Sequence, residues 1–129
     1  MNNVFSQDAP MRKLALEMLT PLARVQFAHA LPWLMTLPRG DGHAVLVLPA
    51  MLTDDKAMRH VSWFLRSRGY KVLDWGMGRN RGPRPGVFDL LFAKLKAEMR
   101  RTGQKTSVVG WSLGGTLARV LANRHPELV

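Results

Sequence analysis

The chain has 129 residues, of which 47% are hydrophobic and 22% are charged, so it is long enough for one globular domain and too apolar to be disordered. It contains no cysteine, which excludes disulfides and thiolate chemistry and favours a cytoplasmic location. The formal net charge is +10, but the basic residues are spread along the chain without an aromatic-interleaved motif. We therefore expect a simply basic surface and no specific nucleic-acid partner, with nonspecific binding to nucleic acid or anionic lipid as a weaker alternative.

Residues 1–38 are predicted to form an N-terminal helical segment, because apolar residues recur there at helical spacing. The most apolar part, Leu14 to Leu37, is interrupted by charged residues and prolines, so no transmembrane segment is predicted. The basic pair Arg12-Lys13 resembles the start of a secretory signal. Glu17 and Arg24 fall inside the apolar region that would follow, which favours a helix of the mature protein.

Residues 39–129 contain three units in which a strand pattern precedes a helix pattern. The predicted strands are Ala44–Leu48, Tyr70–Leu73 and Thr106–Val109, and the first is a continuous apolar run typical of a strand buried on both faces. The helices are predicted after Thr53, from about Val87 to Arg101, and from Leu113 to about Arg124. This alternation predicts an α/β fold of three αβα layers around a short parallel sheet.

A glycine-rich loop, Gly76 to Gly86, follows the second predicted strand. It suggests a dinucleotide site, but its last glycine falls one residue late for the nucleotide motif, and Pro83 and Pro85 prevent a helix from starting directly after it. We therefore predict no cofactor, and no residue cluster has metal-ligand spacing. The loop is predicted to lie beside a substrate pocket, and Trp75 and Trp111 to be packing residues. Three arginines of the loop are candidates for contact with an anionic substrate: Arg79, Arg81 and Arg84.

The most informative motif is Gly110-Trp111-Ser112-Leu113-Gly114, directly after the third predicted strand. This G-x-S-x-G spacing between a strand and a helix is typical of a nucleophile elbow, in which a sharp turn exposes the serine hydroxyl. Glycines at both ends let the strand and the helix approach closely because they carry no Cβ. Ser112 is therefore the predicted nucleophile, and the N–H of Leu113 is placed at a helix N-terminus, where it can stabilise an oxyanion. The alternative is a glycine-rich turn that carries an unreactive serine.

Together with this motif, residues 39–129 resemble the N-terminal half of an α/β-hydrolase of the lipase, esterase or acyltransferase type. The segments that carry the resemblance are Pro38–His43, Val47–Met51, Gly76–Pro83 and Gly110–Gly115. The resemblance implies an incomplete α/β-hydrolase fold and an acyl-enzyme formed on Ser112 from a small ester or thioester. It also implies an oxyanion hole made by the backbone N–H groups of Leu113 and Met51. Ala50 stands where the family has glycine.

The catalytic acid and histidine are the parts that the resemblance does not supply. In the family both follow the serine, and here only seventeen residues follow Ser112, so the chain is expected to be truncated before them. His43 and His125 are each predicted at the far end of an element that leads to the elbow, roughly 17–20 Å away. His60 is expected at a surface, and only His29 is left open as a base.

Two classes of function follow from these observations. The first is a serine-dependent hydrolase or acyltransferase that acts through Ser112. The second is a non-catalytic fragment of such an enzyme that acts as an interaction or oligomerising chain. In the family the elbow strand has a neighbour on each side, so its loss on one side would expose an apolar sheet edge suited to self-association.

Overall fold

The computed structural model describes Leu22 and residues 24–129, and the chain divides into two compact units after Pro38. In the first unit residues 24–34 are helical (α1), and the predicted stripe before them lies outside the described residues. The Thr36 hydroxyl donates to the carbonyl oxygen of Trp33 at 2.7 Å, which satisfies one of the last carbonyl groups of the helix. Among the described helices, none has the length and apolar character needed to cross a bilayer.

The second unit is built on a three-stranded parallel sheet, as predicted. The strands are β1 (Ala44–Leu48), β2 (Lys71–Leu73) and β3 (Ser107–Gly110), in the order β2-β1-β3. All five residues of β1 are buried, because this central strand is covered on both faces by helices. The α/β class is thus confirmed, whereas the assignment to the α/β-hydrolase fold stays a prediction.

Helices cover both faces of this sheet, which gives the three predicted layers. Each strand is followed by a helix before the next strand begins. A short 3-10 turn (Asp55–Met58) and α2 (Arg59–Ser67) follow β1, α3 (Val87–Thr102) follows β2, and α4 (Leu113–Arg124) follows β3. Alternate residues of β1 point to opposite faces. Leu46 and Leu48 pack with leucines of α3 and α4, and Val45 and Val47 pack with Met58 and Leu65 on the other face.

Within the part of the chain that the structure describes, the outer edge of β3 is only partly covered. Trp111 N–H donates to the Leu48 carbonyl at 3.1 Å, so the N–H groups of alternate residues, including Val108 and Gly110, point away from β1. Thr106 N–H, which also points outward, donates to Leu128, so the segment after α4 covers the amino end of the edge. Val109 is 40% exposed and Trp111 57% exposed. The prediction that Trp111 is a packing residue is therefore wrong, because the strand before it lies at the edge of the described sheet.

Candidate active site

Ser112 lies in the sharp turn that joins β3 to α4. Its backbone angles are φ 53° and ψ −116°, a conformation that residues other than glycine rarely adopt. The Ser112 carbonyl accepts from the N–H groups of Gly115 and Thr116, and the Trp111 carbonyl accepts from Gly114. These bonds start α4 directly behind the serine, and they leave Ser112 exposed at the N-terminus of the helix.

The glycines of the motif are needed because backbones touch one another at this turn. A Cβ on Gly110 would lie 2.2 Å from the carbonyl carbon and oxygen of Gly114. A Cβ on Gly114 would lie 2.3 Å from the carbonyl oxygen of Leu48, and one on Gly115 would lie 3.2 Å from that of Gly110. The close approach predicted from the glycine spacing is therefore present, and it packs the start of α4 against the carboxyl end of β1.

Two backbone N–H groups at this end of the sheet were predicted to form an oxyanion hole. Leu113 is the first residue of α4, and Met51 is the third residue after β1. Within the described part of the chain, neither N–H donates to a backbone carbonyl, so both are available to an acceptor. The next residue, Leu52, has a φ of 61° and donates its N–H to the Asn80 carbonyl at 2.7 Å. The oxyanion role of the two N–H groups stays a prediction.

Asn80 fastens the loop after β2 to the loop after β1, and the sequence analysis missed it. Its side chain is fully buried, donating to the Pro49 carbonyl at 2.7 Å and accepting from Gly82 N–H at 3.0 Å. Its backbone N–H donates to the Thr53 carbonyl at 2.8 Å. A Cβ on Gly82 would lie 3.9 Å from Cδ2 of Leu113, so this loop reaches the elbow. Asn80 thus positions the segment that carries the Met51 N–H.

The start of the same loop is held by a carboxylate. Asp55 accepts from the backbone N–H groups of Trp75 and Gly76 at 2.8 and 2.9 Å. Trp75 is buried, and its indole N–H donates to the Gly78 carbonyl at 2.9 Å, so its predicted packing role is confirmed. The loop arginines are exposed, and their contact with an anionic substrate stays a prediction: Arg79, Arg81 and Arg84.

Two histidines of the second unit, His43 and His125, lie at the far ends of the elements that lead to Ser112. His125 ends α4, where its ring packs 4.3 Å from that of Phe92, and His60 is exposed on α2. His43 precedes β1 at the amino-terminal end of the sheet, where it hydrogen-bonds to a different serine, Ser107. Within the described residues the Ser112 hydroxyl forms no hydrogen bond. His29 is exposed in the first unit, and its role as a base stays a prediction.

Two clefts lie away from Ser112. One, of about 390 Å³, lies between β2 and α3, and the other, of about 460 Å³, lies beside His43 and Ser107. In the described residues no group of three or more histidines or carboxylates is placed to hold a metal ion. Comparisons with protein-family models, curated proteins and solved structures found no match to this chain.

Proposed function

We propose that this chain carries the nucleophile of a serine-dependent hydrolase or acyltransferase of the α/β-hydrolase type, with Ser112 as that nucleophile. The observation that supports the proposal most is the positive φ of Ser112 between a parallel strand and a helix N-terminus. A non-glycine residue in this conformation costs about 1–3 kcal/mol, and such strain concentrates at functional sites. A turn that only reversed the chain would place a glycine there at lower cost.

In the proposed reaction the Ser112 oxygen attacks the carbonyl carbon of an ester or thioester. The alcohol or thiol leaves, an acyl-enzyme remains, and water or a second alcohol then takes the acyl group. The N–H groups of Leu113 and Met51 would stabilise the negative oxygen of the intermediate. An unassisted serine is a weak nucleophile, so full turnover requires a base, and His43 and His125 lie too far along their elements to supply it.

The side chains around the elbow favour an apolar acyl group. Met51 and Leu52 are each 59% exposed, and Trp111 is 57% exposed. They belong to the two turns that meet where Gly114 packs against Leu48 and Pro49. Covering apolar surface of this kind is favourable and stabilises the complex by about 25 cal/mol per Å². An ester or thioester with a hydrocarbon acyl chain therefore suits this end of the sheet better than a charged one.

Covalent labelling with an alkyl fluorophosphonate tests the proposal. Attack by Ser112 forms an O–P bond and releases fluoride, and cleavage after Trp111 with chymotrypsin separates Ser112 from Ser107 for mass spectrometry. We expect a label on Ser112 that disappears in Ser112→Ala. The matched control is Thr116→Ala, which removes an exposed hydroxyl one turn further along α4 and should leave the label unchanged. An unlabelled Ser112 in a folded chain would contradict the proposal.

The open edge of β3 supports a second candidate function, self-association with another copy of the chain. Outward N–H groups at Val108 and Gly110 and the exposed side chain of Val109 are suited to pairing with a further strand. We expect oligomers by light scattering and a shift toward monomer in Val109→Lys. Val61→Lys on α2, where the valine is similarly exposed, should have no such effect. A monomer at all concentrations would exclude this function.

A further inference from the structure

Three side chains form a hydrogen-bonded series at the amino-terminal end of the sheet. Nδ1 of His43 lies 2.5 Å from Oδ1 of Asp41, and Nε2 of the same ring lies 2.9 Å from Oγ of Ser107. Asp41 and His43 are two positions apart in the sequence, but Ser107 is 64 residues after His43. The pairing of Val45 with Ser107 in the parallel sheet brings them together. We call this group the Asp41–His43–Ser107 relay.

The partners of the ring assign its tautomer. An ionised carboxylate only accepts hydrogen bonds, so Nδ1 of His43 carries a proton and donates a hydrogen bond to Asp41. In a neutral imidazole Nε2 then has the free lone pair, and the Ser107 hydroxyl donates to it. Backbone and side-chain hydrogen bonds from His43 lower the pKa of the Asp41 carboxyl, which keeps it ionised. The relay therefore has the direction needed to take a proton from Ser107.

The backbone and a neighbouring ring hold the imidazole in place. The His43 backbone N–H donates to the same Oδ1 of Asp41 at 3.1 Å, and the His43 carbonyl accepts from Lys71 N–H at 3.1 Å. Tyr70 meets the imidazole edge-on, with ring centroids 5.1 Å apart. The Tyr70 ring itself packs against the backbone of Gly40, where a Cβ would lie 2.3 Å from the ring. Such positioning before substrate binds is what proton transfer requires.

Ser107 can also be reached from outside. It is exposed at the start of β3, and the His43 side chain is 24% exposed. Both line the open cleft of about 460 Å³, whose other lining residues are Asp41, Gln104, Lys105, Thr106 and Val129. Most of these residues are polar, in contrast to the apolar side chains around Ser112. The Lys105 ammonium donates to the Pro126 carbonyl at 2.6 Å and has two further N–H donors, which, like those of the Gln104 amide, suit the carbonyl oxygen of a small substrate.

We propose that the Asp41–His43–Ser107 relay is a second acyl-accepting site, reactive toward small polar esters and independent of Ser112. The Ser107 oxygen attacks the ester carbonyl as its proton passes to Nε2 of His43. The ester C–O bond breaks, and the proton on His43 leaves with the alcohol, so that an acyl group remains on Ser107. Water then attacks the acyl carbon as one of its protons passes to Nε2 of His43. The bond from that carbon to the Ser107 oxygen breaks, the Ser107 oxygen takes the proton back from His43, and the acid is released. Ser107 and His43 are the catalytic residues, and Asp41 is a positioning residue.

The test is fluorophosphonate labelling of the Ser112→Ala chain, in which fragmentation of the chymotryptic peptide that ends at Trp111 locates the label on Ser107. We expect the Ser107 oxygen to form a bond to phosphorus with loss of fluoride. His43→Gln should slow this labelling by about 10²-fold or more, the scale of general-base assistance. His60→Gln, a change of the same kind on exposed α2, should leave the rate unchanged. A Ser107 that stays unlabelled in a folded chain, or that labels equally fast in His43→Gln, would overturn the proposal.

The role of Asp41 is tested by comparing the labelling rate with the melting temperature, because a purely structural role would change both together. Asp41→Asn should slow the labelling of Ser107 by at least tenfold while the melting temperature stays close to that of the parent, and Asp41→Glu should restore part of the rate. The positioning role would be overturned if both variants lost the same labelling rate and both also melted at a clearly lower temperature than the parent. In the unsubstituted chain, a label on Ser107 without one on Ser112 would refute the function proposed above and support this one. The reverse result would do the opposite.

Discussion

The two ends of β3 each present an exposed serine, and each serine has what the other lacks. Ser112, at the carboxyl end, lies in a strained turn at a helix N-terminus, but its hydroxyl forms no hydrogen bond within the described residues. Ser107, at the amino end, has an imidazole 2.9 Å from its oxygen and a carboxylate beyond it, but begins a regular strand. The two serines are five positions apart, roughly 16 Å at the rise of an extended strand.

This difference shows that the two requirements of a reactive serine have separate structural origins. The turn at Ser112 arises from local packing, because the glycines around it let a helix start against the end of β1. The relay at Ser107 arises from strand register, because the alignment of β1 with β3 places His43 beside it. Changes at one end should therefore leave the chemistry of the other end intact.

The largest expected effect on stability comes from adding a methyl group at the carboxyl end of β3, where backbones touch. In Gly110→Ala the new Cβ would lie 2.2 Å from backbone atoms of Gly114, which cannot move without displacing α4. We expect a loss of about 4 kcal/mol in the free energy of unfolding, measured by urea denaturation. Gly115→Ala is the control, because its Cβ would lie 3.2 Å from its nearest neighbour and should cost about 1 kcal/mol. Similar losses in both variants would show that the close approach is not what requires glycine.

The sequence predicted the parts of this molecule that depend on nearby residues. The continuous apolar run of β1 and the glycine spacing of the elbow both led to the observed local structure. What it did not predict depends on residues far apart in the chain. From the sequence His43 is only a residue far from Ser112, and its contact with Ser107 follows from a parallel register that neither segment encodes alone. The buried hydrogen bonds of Asn80 join two loops in the same way.

An effect of intermediate size is expected when acid protonates Glu98 and weakens its ion pairs with Lys71 and Arg101. The side chain of Glu98 on α3 is only 7% exposed, and it pairs with Arg101 and with Lys71 of β2 at 2.6 Å each. Hydrogen bonding to Arg101, followed by that to Lys71, lowers the pKa of Glu98 from 4.5 to about 2. A depressed carboxyl pKa stabilises the fold above the unfolded value, and this stability is lost as the pH falls toward the folded value.

We therefore expect Glu98→Gln to lower the free energy of unfolding by about 1–2 kcal/mol at pH 7, after allowance for screening at the exposed cations. The difference from the parent chain should shrink as the pH falls from 4.5 toward 2, the window set by this carboxyl. Urea denaturation at a series of pH values measures it. Glu127→Gln is the control, because the Glu127 side chain is 62% exposed and its contact with His125 is longer, at 3.3 Å. A difference independent of pH would contradict the assignment to the Glu98 ion pairs.

The smallest expected effect is also the most direct comparison of the two serines, because the same substitution should act with opposite signs. Ser112→Gly removes a side chain from a backbone with a φ of 53°, so it should raise the free energy of unfolding by about 1 kcal/mol. Ser107→Gly places glycine in a strand and removes the hydrogen bond to His43, so it should lower that free energy by about 1–2 kcal/mol. Thermal and urea denaturation of both variants would measure the signs. A loss of stability in Ser112→Gly would mean that the serine is held without strain, and the argument from backbone geometry to a nucleophile would fail with it.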